Sequence, residues 1–363
     1  VRPVVIAYST VAGGAENYLT RLYSQLAALG DEPRLIGQVD GWAETGLPRT
    51  AIELGPKWGK KTIVQGHLRA PLERKRVEEA VAKISAPSYF HLQFKREQIL
   101  FTKLLSQRAP VIWTEHGLLP SGLSGKPLMA EYRAAARYVA GIMCVSQEVA
   151  ASVRAVVPAG TEVHVIENSI DTSAHRLPSD DERAAARAEL DIEDGVPVLL
   201  WIGRMSRGKR PDFAIELARA WRGVTLIAGT GEMFDEVRAA AAGVPGARVL
   251  GHRSDTETLY RAADVMTFTS TGAGEGYPTT TMVEAASYGV PMVTDALAGA
   301  GRVARDIGAP VAAAPTASAW LTAIEQAMTP EVRAGARAWA QKHDVKLWTQ
   351  AHQEWLGRLV AAR

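Results

Sequence analysis

Two doubly wound α/β domains are the fold this sequence predicts, and three observations predict it. The chain has 363 residues, more than a single core usually serves. Short apolar runs recur along it, of the kind that suits strands buried on both faces of a parallel sheet. Helical stretches alternate with those runs in both halves, the pattern of a sheet wound with helices on each side.

The first half offers "PVVIAYS" (3–9), "RLIGQV" (34–39), "SYFHLQF" (88–94), "PVIWTEH" (110–116), "GIMCVS" (141–146) and "EVHVIENS" (162–169). The second half offers "PVLLWIG" (197–203), "VTLIAGT" (224–230), "ARVLGH" (247–252), "VMTFTS" (265–270), "PMVTD" (291–295) and "PVAAA" (310–314). Between the halves a polar segment with Pro178 precedes Ser179, a helix N-cap candidate with acids behind it. The join is therefore predicted near 170–180, giving domains at 1–172 and 173–345. Residues 346–363 read as a closing helix, with Leu347, Ala351, Trp355 and Leu359 about four apart on one face.

Composition limits the partners. With 47% hydrophobic and 22% charged residues the chain reads as a globular protein, and its net charge of +2 argues against a nucleic-acid binder. The uneven region is 57–96, with ten basic residues against Glu73, Glu78 and Glu79. It is either a solvated face or a footprint for an anionic acceptor or a membrane surface. Cys144 is alone, so neither an internal disulfide nor a thiolate metal cluster is available, and its apolar setting suits a small buried residue. The opening "VRPVVIAYS" reads as a strand rather than a leader, and no run of about 18 apolar residues occurs. A cytoplasmic place is the expectation, at the inner face of the membrane if the basic region docks there.

Ligands of open parallel sheets bind beyond the carboxyl ends of the strands, so the informative residues should follow each strand. After the first comes "TVAGGAENYLTRL", where Gly13 and Gly14 either make a tight turn or let backbone approach an anion at the helix start. The spaced three-glycine dinucleotide fingerprint is missing, which counts against a nicotinamide enzyme. His116 follows a later strand, on a loop suited to ligand contact. His91 and Gln93 lie where alternation turns them to either side. In "IGRMSRGKR", Arg204, Arg207, Lys209 and Arg210 put four cations within seven residues. They would repel one another without an anion, and guanidinium with ammonium suits a diphosphate. In "GEGYPTTTMVEAASYGV", Pro278, Thr279 and Thr280 open a helix whose amides suit a phosphate. Glu284 would accept from a ribose diol, and Glu275 would grip a sugar hydroxyl at the ligand's other end.

Taken in order along essentially the whole chain, these motifs resemble glycosyltransferase family 4, retaining enzymes of the GT-B fold. The likeness rests on the Gly-Gly-Ala-Glu turn at 13–16, "TEHG", "CVS", "VIENSID", "IGRMSRGK", "LIAGTGE", "LGHRSD", "LYRAADV" and "GEGYPTTTMVEAASYGVPMV". It implies two Rossmann-like domains facing a cleft and a final helix that crosses back to the first domain. It implies that Arg204 and Lys209 bind the donor diphosphate, Glu284 the ribose and Glu275 the transferred sugar. Gly13 and Gly14 would border the phosphates, and His116 would face donor sugar and acceptor. Gly229, Gly251 and Arg253 would line the nucleotide, Gly251 and Arg253 near the base. Two departures from the family pattern stand out. Glu275 and Glu284 are nine apart rather than eight, and Asn168-Ser169-Ile170-Asp171 replaces Asn-Gly-Ile-Asp, which predicts a stiffer hinge.

The activity implied is transfer of a hexosyl-type sugar from a UDP-sugar, or a GDP-sugar, to an acceptor hydroxyl on a glycan, glycolipid or small metabolite. The nucleotide sugar is a substrate, and no cofactor is expected. No Asp-x-Asp occurs, so metal is not expected either. The alternatives are a nucleotide-sugar epimerase of the same fold, which would isomerise donor alone, and a non-catalytic nucleotide-sugar-binding protein.

Overall fold

The computed structural model describes the chain apart from residues 12, 56–57, 59–62, 121–124, 272–275, 297–298 and 362–363. It divides into two compact units, Val1–Ile166 with Thr349–Arg363, and Glu167–Trp348. The first passage thus falls a few residues before the expected 172, and the second a few after 345.

Unit 1 runs β1 (Pro3–Tyr8), α1 (Gly14–Ala28), β2 (Arg34–Gln38), β3 (Arg49–Thr50), α2 (Ile63–Ala82), β4 (Tyr89–Leu92), α3 (Lys95–Leu105), β5 (Val111–Glu115), α4 (Lys126–Ala135), β6 (Gly141–Cys144), α5 (Gln147–Arg154) and β7 (Val163–Val165). The strands form one parallel sheet in the order β3-β2-β1-β4-β5-β6-β7. Val4, Val5, Ile6 and Ala7 of β1 are all buried, as a central strand covered on both faces requires. The expected strands of the first half all appear; the two-residue edge strand β3 was not anticipated.

Unit 2 runs α6 (Asp180–Glu189), β8 (Val198–Ile202), α7 (Pro211–Ala220), β9 (Val224–Ala228), α8 (Phe234–Ala241), β10 (Ala247–Gly251), α9 (Thr256–Ala262), β11 (Val265–Thr267), α10 (Thr280–Ser287), β12 (Met292–Val293), α11 (Ala300–Asp306), α12 (Ala317–Ala327) and α13 (Pro330–Gln341). Its parallel sheet has the order β10-β9-β8-β11-β12. The apolar segment 310–314 contributes only a bridge, Ala312 to Asp295. Ser179 caps α6 in a full capping box with Glu182, as its place before three acids suggested.

Helix α14 (Val345–Ala361) begins in unit 2 and continues in unit 1. Its buried side differs from the expected stripe. Leu347 is exposed, and the buried row is Trp348, His352, Trp355, Leu356 and Leu359. Leu359 and Trp355 pack where Gly141 opens β6, a place without room for a Cβ. Trp355 also donates from Nε1 to Glu162 at 2.8 Å.

Two open questions from the sequence are answered in unit 1. His91 is fully buried in β4, with Tyr23 Oη 2.7 Å from Nδ1 and Thr114 Oγ1 2.8 Å from Nε2. It is a core histidine, not a ligand. Gln93 is also buried and donates from Nε2 to Ala15 O at 2.5 Å, tying the end of β4 to the start of α1. Cys144 is buried, which pushes its thiol up to about 12 and makes it inert.

Burial, with His116 and His352 nearby, holds His91 down to about 3. A histidine that charges at about 6.5 when unfolded but only near 3 when folded favours the unfolded chain throughout that window. Unit 1 should therefore lose stability as pH falls from about 6.5, by up to about 1.4 kcal/mol per pH unit. Denaturant titrations of the full chain, read by hydrogen exchange in β4, should show this slope. His91→Gln should flatten it; an equal slope in both proteins contradicts the assignment.

Candidate functional site

In unit 2 the strand order reverses between β8 and β11, and a sheet of this kind offers its ligand crevice at that point. The loop after β8 carries the four cations, and the loop after β11 leads into α10. Their backbones are stitched together. Thr269 donates to Lys209 O at 2.7 Å, with Arg210 O at 3.0 Å, and it accepts from Trp201 Nε1 of β8 at 2.8 Å. Ser270 Oγ and the Thr271 amide both reach Gly208 O, at 3.3 and 2.9 Å.

The cations then divide. Arg207 pairs with Glu236 at 3.9 Å, and Arg210 lies over the Phe213 ring. Arg204 is exposed. Lys209 Nζ sits 5.3 Å from the Phe268 ring centre, and Phe268 packs edge-on against Tyr277, just before Pro278. Arg204 and Lys209 are the two that the resemblance assigns to the diphosphate. Lys209 is the one the packing brings toward the start of α10.

Helix α10 opens with Thr279 in extended conformation and no side-chain cap, and no acid lies in its first turn. Met282 N and Val283 N already bond to Thr279 O, so the helix leaves the amides ahead of them for another acceptor. Glu284 follows, its Oε2 accepting from Tyr260 Oη at 2.9 Å. Tyr260 is buried and stacks on Tyr288, whose hydroxyl lies 3.0 Å from His175 Nδ1. Burial, and then the adjacent carboxylate, hold the Tyr260 hydroxyl protonated as a donor. Tyr260 orients Glu284 and went unread in the sequence, although it lies in "LYRAADV". Glu275 lies outside the described residues.

Gly229 and Gly251 have structural work. Gly229 is at φ +134°, and a Cβ there would collide with Gly203 O. Its amide donates to Gly251 O at 2.7 Å, while Met205 N reaches Thr230 O at 2.8 Å. The loops after β8, β9 and β10 thus lie against one another because residue 229 has no side chain. Arg253 is held by Asp255, with Nε to Oδ1 at 2.7 Å, and by Glu189 at 3.5 Å.

In unit 1 the order reverses between β1 and β4, where Gly13 and Gly14 precede α1. A Cβ on Gly13 would press on the Glu16 carboxylate at 2.8 Å, whereas Gly14 faces open space. A phosphate at this turn would meet Glu16, a buried acid in the first turn of α1. His116 follows β5 and packs edge-on against Tyr18, ring centres 4.8 Å apart. Tyr18 Oη in turn lies 2.6 Å from His352 Nε2 of α14. Among the described residues no group of three or more His, Cys, Asp or Glu gathers as a metal site.

A Rossmann-like sheet in each unit, with a cationic loop and an uncapped helix start at one switch point, is the GT-B architecture of nucleotide-sugar enzymes. Residues 12–174 match the model Glycosyltransferase Family 4, and residues 196–329 match Glycosyl transferases group 1. The chain is a glycosyltransferase and belongs to family 4. Anabaena HepE in complex with UDP superposes with a TM-score of 0.82 at 20% identity, over 99% of this chain and 100% of that one. HepE with UDP-glucose gives 0.79 at 18%, over 98% and 99%. Sucrose-phosphate synthase of Thermosynechococcus elongatus gives 0.81 at 16%, over 100% of both chains. At such identities these likenesses show the fold. No curated protein matches the chain by sequence.

Gly229→Ala should destabilise unit 2 by about 1–3 kcal/mol, from the strained φ and the collision with Gly203 O. A thermal midpoint equal to that of the unaltered protein contradicts this packing.

Proposed function

We propose that this protein is a retaining, metal-independent hexosyltransferase that uses a UDP-sugar. The observation that carries the reading is the bonding of the Gly208, Lys209 and Arg210 carbonyls to the residues after β11, which holds the cationic loop beside the segment that leads into α10 at one switch point. That arrangement suits a diphosphate, and the UDP and UDP-glucose complexes of HepE support uridine over guanosine.

The anomeric carbon–oxygen bond of the donor breaks, and its electron pair goes to the departing diphosphate. Arg204, Lys209 and the α10 amides stabilise that charge without a metal ion. The acceptor hydroxyl oxygen bonds to the anomeric carbon on the same face, and its proton passes to the departing phosphate oxygen. Glu284, held by Tyr260, takes the ribose hydroxyls. His116, held by Tyr18, positions the donor sugar. Glu275 takes a sugar hydroxyl in this reading.

The acceptor side of the reading is a glycolipid reached at an anionic membrane surface. Val64, Leu68 and Leu72 are exposed at four-residue spacing along α2, with Lys75 on the same helix. Beside them α2, α3 and α4 border an open groove of about 840 Å³ lined by Ala70, Pro71, Leu104, the cations Arg74, Lys103 and Arg137, and the acid Glu131. An apolar stripe flanked by cations is the pattern of a helix lying in a lipid interface. No described helix is long and apolar enough to cross a membrane.

Arg204→Ala combined with Lys209→Ala should lower kcat/KM by about 10²–10³ while leaving the circular dichroism spectrum unchanged. Near-normal turnover refutes the diphosphate assignment. UDP at a hundred times its Kd should raise stability by about 2.7 kcal/mol in wild type and far less in that variant. Leu68→Glu with Leu72→Glu should abolish cosedimentation with phosphatidylglycerol vesicles; unchanged cosedimentation removes the membrane from the reading.

A further inference from the structure

Unit 2 begins with Glu167 and Asn168; Asn168 reaches the turn that opens α10 directly and Glu167 reaches it through Arg302, although more than a hundred residues separate them from it. Asn168 Nδ2 donates to Pro278 O at 2.7 Å. Arg302 of α11 donates to Tyr277 O, the neighbouring carbonyl, at 3.2 Å. The same guanidinium donates to Glu167 Oε1 at 2.8 Å and to Asp306 at 3.2 Å. His343 Nε2 lies 3.0 Å from the other Glu167 oxygen, and its Nδ1 lies 3.0 Å from Trp339 O. Burial raises the Glu167 carboxyl, but His343 and Arg302 outweigh it and leave the group below its ordinary range, a fixed anion for Arg302.

These bonds determine a direction. The Pro278–Thr279 peptide is planar and trans, so its N–H points opposite to its C=O. Fixing Pro278 O on Asn168 therefore aims the Thr279 amide away from Asn168, and Thr279 is the residue that leads into the first turn of α10. A donor on the carbonyl also polarises the peptide and strengthens its N–H. The Tyr277 ring is fixed as well. It is buried against Gly299, which is at φ +77° and has no room for a Cβ beside that ring.

We propose that Asn168 and Arg302, the latter anchored by Glu167, are positioning residues for the diphosphate: they fix the Tyr277 and Pro278 carbonyls so that the α10 amides are aimed at it. This rests on the reading that the diphosphate sits at this turn, and the experiment separates the two. UDP and uridine are titrated calorimetrically into wild type, Asn168→Ala, Arg302→Gln, Thr280→Pro and Thr280→Ala. Proline is tolerated at the first helical position and removes the amide there together with the Thr280 side chain, so Thr280→Pro, read against Thr280→Ala for the side chain alone, tests the reading itself. Asn168→Ala should weaken UDP about tenfold and leave uridine within about twofold, the loss expected of one hydrogen bond. Arg302→Gln should act in the same sense and carries the test if Asn168→Ala does not fold. Loss of UDP in Thr280→Pro with UDP unaffected by Asn168→Ala and Arg302→Gln overturns the positioning role and spares the site. Equal loss of UDP and uridine also overturns it, since that marks a general structural effect. Unchanged UDP affinity in Thr280→Pro overturns the site and the positioning role together.

Discussion

The Thr269 hydroxyl is the interaction on which the cationic loop of unit 2 depends. It lies between Trp201 on the central strand β8 and the Lys209 and Arg210 carbonyls of the cationic loop. A loop with four cations in seven residues has no reason of its own to hold a compact shape. Here its carbonyls are satisfied by residues just past β11, so its backbone is fixed before any anion arrives. Two of its cations are drawn off to Glu236 and Phe213. Arg204 and Lys209 are the two that the proposed function gives to the diphosphate, on a preorganised frame of the kind that makes electrostatic stabilisation effective.

The two switch points differ in sign. At the first, the start of α1 carries Glu16, whose carboxylate folds over Gly13. At the second, α10 begins without an acid or a side-chain cap. Helix starts favour anions; the first has an acid of its own helix in its first turn and the second has none. A glycine pair looks more like a phosphate loop than a threonine run does, yet the charges favour the threonines.

Much of this was legible in the sequence. The strands were readable because parallel strands covered on both faces are apolar throughout, and their order of appearance implied the winding. The placing of Arg204 and Lys209 on the loop after β8, and of Glu284 in α10, was readable because strand, loop and helix follow one another there in the sequence. What escaped was set by packing between distant segments. The two-residue strand β3 has too little sequence to carry a period. His91 alternates into the sheet, and only the neighbours Tyr23 and Thr114 decide which face it meets. The buried row of α14 runs through Trp348 and His352 rather than Leu347, because burying large aromatic rings outweighs a tidy four-residue spacing of smaller groups. Gly229 was read as lining a nucleotide, and its conformation ties it to the crowding of three loops. Tyr260 on Glu284, and Asn168 on Pro278, are pairings that no local pattern announces.

A crystal structure with UDP bound tests the central claim most directly. The account predicts diphosphate oxygens within about 3 Å of Lys209 Nζ and of the first amides of α10, with the ribose hydroxyls on Glu284. A diphosphate seated at Gly13 and Gly14, or anywhere clear of the loops after β8 and β11, would contradict it.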